Sequence, residues 1–331
     1  MTHAVPFAEI TRGAFIETVH LGQAVICDSS GRVVETWGDP DAVILPRSAI
    51  KMIQALPLVA SGAADASGLG PEHLALACAS HSGAAIHTGR VRAWLGALGL
   101  GDDDLRCGPQ VPSDPEARHA IRCEGAPACQ VHNNCSGKHA GMLTLTRHLR
   151  AGPEYHEADH PVQRACLEAF ERVTGETSPG YGIDGCSLPN HAATLGGVAR
   201  AMGWFAGAAG RQDAESRAAA RLVRAMMAHP ELVAGEGRAC TELMRAARGR
   251  AALKTGAEGV FTAILPELGL GIALKIADGA TRASECAIAA LLVRLGVLEA
   301  EDPAVRRRRT VPILNRRGLQ TGEIRPAAAL G

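Results

Sequence analysis

Apolar positions at Val19, Val25 and Ile26 give way to Asp28-Ser29-Ser30-Gly31 and resume at Val33, Val34 and Trp37. Two β-prone runs around a polar, glycine-closed turn predict a hairpin over 15–37, broken off by Gly38-Asp39-Pro40. The pattern then changes period. Met52, Leu56 and Val59 form one stripe and predict a helix over 48–61, with Pro57 kinking or breaking it. Further helices are predicted over 71–79, over 88–98 with Thr88 as N-cap, and over 138–149. Another is predicted over 161–173, with Asp159 or His160 near the cap and Pro161 in the first turn. The Ala- and Arg-rich stretch 206–228 closes at His229-Pro230, and 284–298 reads as a core helix. Residues 259–265 and 270–276 read as paired strands, whereas 101–131, rich in Pro, Gly, Asp and Cys, reads as loop. No internal repeat is visible.

Strands near both ends with helices between them predict an α/β (α+β) fold, a mixed sheet built from both chain ends with an inserted helical lobe. The sheet lobe is expected at about 1–60 plus 190–331, and the helical lobe at about 61–189. At 331 residues with a hydrophobic fraction of 47%, the chain can bury a sizeable core, so disorder is excluded. Aromatics are only 3%, so packing must rest on Ala, Leu, Val and close glycine contacts.

Charge narrows the function classes. Lys+Arg and Asp+Glu are both 34, which leaves no basic excess for nucleic acid. Arg306–Arg309 reads as a solvated helix end or linker. No run of 18 apolar residues and no signal-like start is present, so the expectation is a soluble, cytoplasmic protein with no membrane partner. Ten scattered cysteines then read mainly as reduced, buried small hydrophobes. No Walker A sequence occurs and Gly269-Leu270-Gly271 lacks the third glycine of a dinucleotide fingerprint, so no nucleotide cofactor is expected.

The basic residues divide into 30 Arg and four Lys: Lys51, Lys138, Lys254 and Lys275. In a chain so biased towards arginine, the surviving lysines are candidates for chemistry, because guanidinium cannot give up its proton as an amine can. Ser48-Ala49-Ile50-Lys51 is a Ser-x-x-Lys spacing that puts the two residues one turn apart on one helix face, their Cβ atoms about 5–6 Å from each other. A serine hydroxyl becomes nucleophilic when such an amine takes its proton. The plain alternative is a capping serine with a solvent-facing lysine. Ser80, in Ser80-His81-Ser82-Gly83, is a second hydroxyl able to pair with Lys254 of Lys254-Thr255-Gly256. Cys135 and Lys138 in Asn134-Cys135-Ser136-Gly137-Lys138-His139, with Asp184 and Cys186 in Asp184-Gly185-Cys186, supply thiols, an amine and a carboxylate suited to Zn²⁺. No Cys-x2-Cys spacing accompanies them.

Taken together, these segments resemble the bacterial asparaginases of the Rhizobium etli inducible type. The match also takes in Cys107-Gly108-Pro109, 182–190 and 273–279, and so spans most of the chain. Met52 departs from the proline expected after the tandem lysine. The resemblance implies a serine β-lactamase/glutaminase-like fold, L-asparagine as substrate, and hydrolysis to L-aspartate and ammonia. It implies two Ser–Lys tandems, Ser48 with Lys51 and Ser80 with Lys254. It also implies a modulating, non-essential Zn²⁺ on Cys135, Lys138, Cys186 and water beside Asp184, and a homodimer. Arg47 is a candidate for the substrate α-carboxylate, and Asn134 and His139 for its other polar groups. A glutaminase or other amidohydrolase of this fold is the enzymic alternative, and a zinc-responsive binding protein the non-enzymic one.

Overall fold

In the computed structural model, which describes residues 4–330, packing divides the chain into two units. The first takes the chain up to Ala49, Thr194–Gly207 and everything from Glu242 onwards. Its centre is an eight-stranded sheet of β1 (Val5–Arg12), β2 (Phe15–Asp28), β3 (Val33–Trp37), β4 (Ala252–Thr255), β5 (Val260–Leu265), β6 (Leu270–Ile276), β7 (Val311–Leu314) and β8 (Gln320–Pro326). The spatial order is β7-β8-β1-β2-β6-β5-β4, with β3 also on β2. Both chain ends feed this sheet, as expected. Its pairings are all antiparallel, however, so the mixed sheet is corrected to an antiparallel one. The cause is connectivity. Its strands arrive as neighbouring hairpins, β1–β2–β3, β4–β5–β6 and β7–β8, which need no crossover inside them.

The Leu195–Ala206 helix lies on β2, β5 and β6, and the Thr281–Arg294 helix on β1, β5, β6 and β8. Accordingly all six residues of β5 are buried, as in a strand covered on both faces. Close approach of helix and sheet depends on two glycines. A Cβ on Gly271 would lie 1.9 Å from the Gly203 nitrogen, and one on Gly203 would lie 2.4 Å from the Asp28 carbonyl oxygen. This is the glycine packing that the scarcity of aromatics called for.

The second unit comprises Ile50–Ala193 and Ala208–Thr241. It thus begins before residue 61 and includes 208–241, which the sequence placed in the sheet lobe. The reason is the Ala214–Ala228 helix, whose apolar residues Ala218, Leu222, Ala225 and Met226 are buried where it packs on the Leu56–Ala60 and Pro71–Ala77 helices. At the middle stands the Ser136–His148 helix, buried from Ser136 to Thr146. Gly137 lets it in: a Cβ there would meet the Leu76 carbonyl oxygen at 2.6 Å.

Several expected elements are reshaped. The helix over 48–61 is a 3-10 turn, Arg47–Ile50, followed by two short helices, Lys51–Gln54 and Leu56–Ala60, with Pro57 in the first turn of the second. Thr88 lies inside the Ala85–Ala97 helix and is not its N-cap. The segment expected as loop contains the Pro115–Glu124 helix, where Asp114 caps the Ala117 N–H. Among the described residues, the ten cysteines form no disulfide.

Candidate active site

Within the second unit, three segments distant in sequence converge on Lys51. Its amine is completely buried and donates to the Ala79 carbonyl, to Ser80 Oγ at 3.0 Å and to Cys135 Sγ at 3.1 Å. Ser80 is fixed through its own N–H, which donates to the Val233 carbonyl at 2.9 Å. Neighbouring His81 is locked as a neutral ring. Ser136 Oγ donates to the Val131 carbonyl at 2.9 Å, so it must accept from His81 Nε2 at 3.0 Å, while His81 Nδ1 accepts from the Gly83 N–H at 3.1 Å. Burial, then the charges of His87 and Lys51, hold this imidazole well below its usual protonation range.

Cys135 ends a polar loop that is tied down by Asn133. Asn133 Oδ1 accepts from the Cys135 N–H at 2.9 Å, and its amide nitrogen donates to the Cys107 and Gly108 carbonyls at 2.9 and 3.0 Å. Two residues into the following helix, Lys138 Nζ donates to Cys186 Sγ at 3.1 Å. Cys186 sits in the turn closed by the Asp184 N–H bond to Leu188 oxygen, a turn that puts Ser187 at φ +71°. The neighbouring Cys186 sulfur and then burial raise the Cys135 pKa to about 12, while Cys135 together with the Lys138 and Lys51 charges holds Cys186 well below an ordinary thiol despite burial. Burial works against the Lys138 ammonium, but the sulfurs of Cys186 and Cys135 and the Asp184 carboxylate outweigh it and raise its pKa.

His139 completes this group. Tyr155 Oη accepts from the Arg106 N–H at 2.8 Å and is hydrogen-bonded to His139 Nδ1 at 2.8 Å. Among the described residues, His139 Nε2 is buried with no hydrogen-bond partner. An orphaned polar atom of this kind is poised to pair with a ligand. Among the described residues, no trio of His, Cys, Asp or Glu is grouped to hold a metal. The Cys135–Lys138–Cys186 set is chemically different, two sulfurs and an amine, and suits a borderline-soft dication once the amine and thiols are deprotonated.

Asn134, also in the second unit, accepts through Oδ1 from Cys135 Sγ at 3.1 Å, whereas Arg47, Ser48 and Lys254 belong to the first unit. Ser48 is half-buried in the 3-10 turn that follows Arg47, whose φ of +54° is left-handed. That turn packs on the end of β4: a Cβ on Gly256 would meet the Pro46 carbonyl oxygen at 2.8 Å, and Thr262 Oγ1 donates to the Ala49 carbonyl at 2.8 Å. Lys254 is 1% exposed, pairs with Thr262 across β4 and β5, and donates to the Thr255 carbonyl at 2.9 Å.

The profile of the L-asparaginase II family matches residues 8–326. The chain belongs to that family. Its chemistry is therefore that of an amidohydrolase, in line with the hydroxyl–amine pair. No curated protein matches the chain. Solved structures similar to it include one of a protein named Mglu (TM-score 0.45, 15% identity, 85% of this chain and 68% of that one) and another of Mglu in its tris and glutamate form (TM-score 0.45, 15% identity, 85% and 60%). A β-lactamase from Mycobacterium bovis is also similar (TM-score 0.37, 13% identity, 80% and 89%). The chain spans 60–68% of the length of those Mglu chains.

Sequence reasoning missed Asn133, Tyr155 and Asn133's carbonyl partners. Asn133 was visible as the neighbour of Asn134, but nothing in spacing showed which amide braces the loop. Tyr155, one of only two tyrosines in the chain, gave no motif signal.

Proposed function

We propose that the protein hydrolyses L-asparagine to L-aspartate and ammonia through a serine acyl-enzyme. Ser48 Oγ attacks the side-chain amide carbon while Lys51 takes its proton. As the tetrahedral intermediate collapses, the C–N bond breaks and the proton reaches the departing ammonia through Ser80 and Lys254. Backbone N–H groups steady the oxyanion. Water then attacks the ester, releasing aspartate and restoring the Ser48 hydroxyl. Arg47 pairs with the α-carboxylate, while Asn134 and His139 Nε2 hold the substrate's other polar groups. Cys135, Lys138 and Cys186 would hold Zn²⁺ beside Asp184, where the bound ion supplies a Lewis-acidic contact that modulates substrate binding. The same reading makes the protein a cytoplasmic homodimer.

One observation carries the proposal: the buried Lys51 amine lies 3.0 Å from the Ser80 hydroxyl, so that a proton taken from Ser48 can pass on to the Ser80 relay, shielded from water. The test is ammonia release by purified protein from asparagine and from glutamine, with and without chelator, and nitrocefin hydrolysis measured alongside. Asparagine is expected to be the preferred amide, with activity surviving chelation. Ser48→Ala is expected to lose at least about 10³-fold in kcat. Near-full turnover in Ser48→Ala with loss in Ser80→Ala would reverse the two serines' roles, and no release from any amide would end the proposal.

A further inference from the structure

Lys275 is the one lysine for which the reaction above has no use. It lies on β6, where it faces Val260 of β5 and Gln23 of β2 in the pairing. It is half-buried, and its amine makes two short bonds to backbone oxygen, 2.6 Å to the Glu258 carbonyl and 2.6 Å to the Ile276 carbonyl. Neither acceptor is a carboxylate, so the lysine is not spent on an ordinary surface ion pair.

The first acceptor lies at a costly point of the backbone. Glu258 has φ +54°, a conformation that carries a penalty for any residue with a Cβ, and Gly259 follows at φ +71°. Two left-handed residues in succession persist only where their surroundings hold them. The supports are the Lys275 bond to Glu258 oxygen and the Ile276 N–H bond to Gly259 oxygen at 3.0 Å. Gly279 crowds the same loop, since a Cβ there would lie 2.8 Å from Glu258 Oε2. The loop in turn returns the chain so that the Gly256 N–H bonds the Val260 carbonyl at 2.8 Å. Gly256 is the residue that seats β4 against Pro46 and Ala49, on either side of Arg47-Ser48.

We infer that Lys275 is a positioning residue: by clamping the strained Glu258-Gly259 turn it sets where Lys254-Thr255-Gly256 meets the turn that carries Ser48. The inference rests on the functional reading above, in which Ser48 and Lys254 take part in the reaction. Lys275 itself touches neither. Its effect falls on the arrangement of the reacting groups, where displacements on the order of 1 Å cost about 10²-fold in rate.

The test pairs a readout that needs no substrate with one that does. Lys275→Met removes the donors and keeps the length, whereas Lys275→Arg restores donors to both carbonyls. Amide hydrogen exchange at 256–260 is expected to rise at least about tenfold in Lys275→Met and to return towards wild type in Lys275→Arg. With asparagine, Lys275→Met is expected to lose about 10- to 100-fold in kcat with KM within about twofold, and Lys275→Arg to recover most of it. If Lys275→Met fails to fold, Lys275→Gln, which keeps one donor group, takes its place in both arms. Unchanged exchange at 256–260 overturns the clamp. Raised exchange with unchanged kcat in an active protein overturns the positioning role. Wild-type protein that releases no ammonia from asparagine instead sinks the asparaginase reading, which the exchange arm does not touch.

Discussion

Lys51 shows what a single buried amine can and cannot be replaced by. Its three acceptors, a carbonyl, a hydroxyl and a thiol, come from Ala79, Ser80 and Cys135. Lys51→Met keeps the volume but removes proton exchange with the hydroxyl, and kcat/KM for asparagine is expected to fall about 10²–10⁴-fold. Lys51→Arg is expected to be no better, because guanidinium holds its proton throughout the accessible pH range. Steady-state ammonia release checks both, and an arginine variant within tenfold of wild type would contradict the role given to Lys51. The importance of this residue was legible in the sequence, because only four lysines survive among 34 basic residues. All four are indeed buried or half-buried and bonded. Its contact with Ser80 was not legible. Spacing reports neighbours along a helix, and these two residues are 29 apart, joined only through packing of the Ala79-Ser80 segment.

Elements were read best where one local device decided them. The Pro161–Thr174 helix has Pro161 in its first turn, the His160 ring accepting from the Val162 N–H, and Gly175 in the left-handed conformation at its end. All three signals lie in consecutive residues. The Pro115–Glu124 helix carries an equally clear Asp-Pro start but has no buried residue, so no apolar stripe marked it. The β7–β8 hairpin was unread for a similar reason: its residues are half-exposed or exposed, which erases the alternation that announces a strand. Close helix packing is the opposite case, plain only in three dimensions. Gly137→Ala would put a methyl 2.6 Å from the Leu76 carbonyl oxygen, and the nearest atoms are backbone that cannot swing aside. This change is expected to cost about 1–3 kcal/mol, although alanine is the better helix former. Urea unfolding checks it, and an unchanged or raised midpoint would show that the Ser136–His148 helix can shift without loss.

At the scale of the whole molecule, formal charge is balanced and arginine carries the surface pairing. Arg308 joins Glu242 at 2.8 Å and Glu285 at 3.0 Å, so the basic block read as a solvated helix end is partly pinned. Response to acid is decided elsewhere, by imidazoles enclosed in their neutral form. His81 and His87 stack with centroids 4.8 Å apart and planes 8° from parallel, both within 1% of complete burial. Burial first, and for His81 the His87 charge next, depresses both pKa values. At pH 8 the folded and unfolded chains both hold these rings neutral, and the pair adds no pH dependence. Below about 6.5 the unfolded chain takes up protons that the folded protein refuses, so stability falls as pH drops towards the lowered folded values. Each ring contributes at most about 1.4 kcal/mol per pH unit across that window, well before carboxylates such as Glu72, held low by Arg90, begin to titrate. Urea midpoints measured from pH 8 to pH 5 are expected to fall below pH 6.5. His81→Gln, which keeps a donor for Ser136, is expected to start less stable at pH 8 but to lose less on acidification. A wild-type midpoint that stays level down to pH 5 would mean that the folded protein accommodates charge at this stack, against the burial argument.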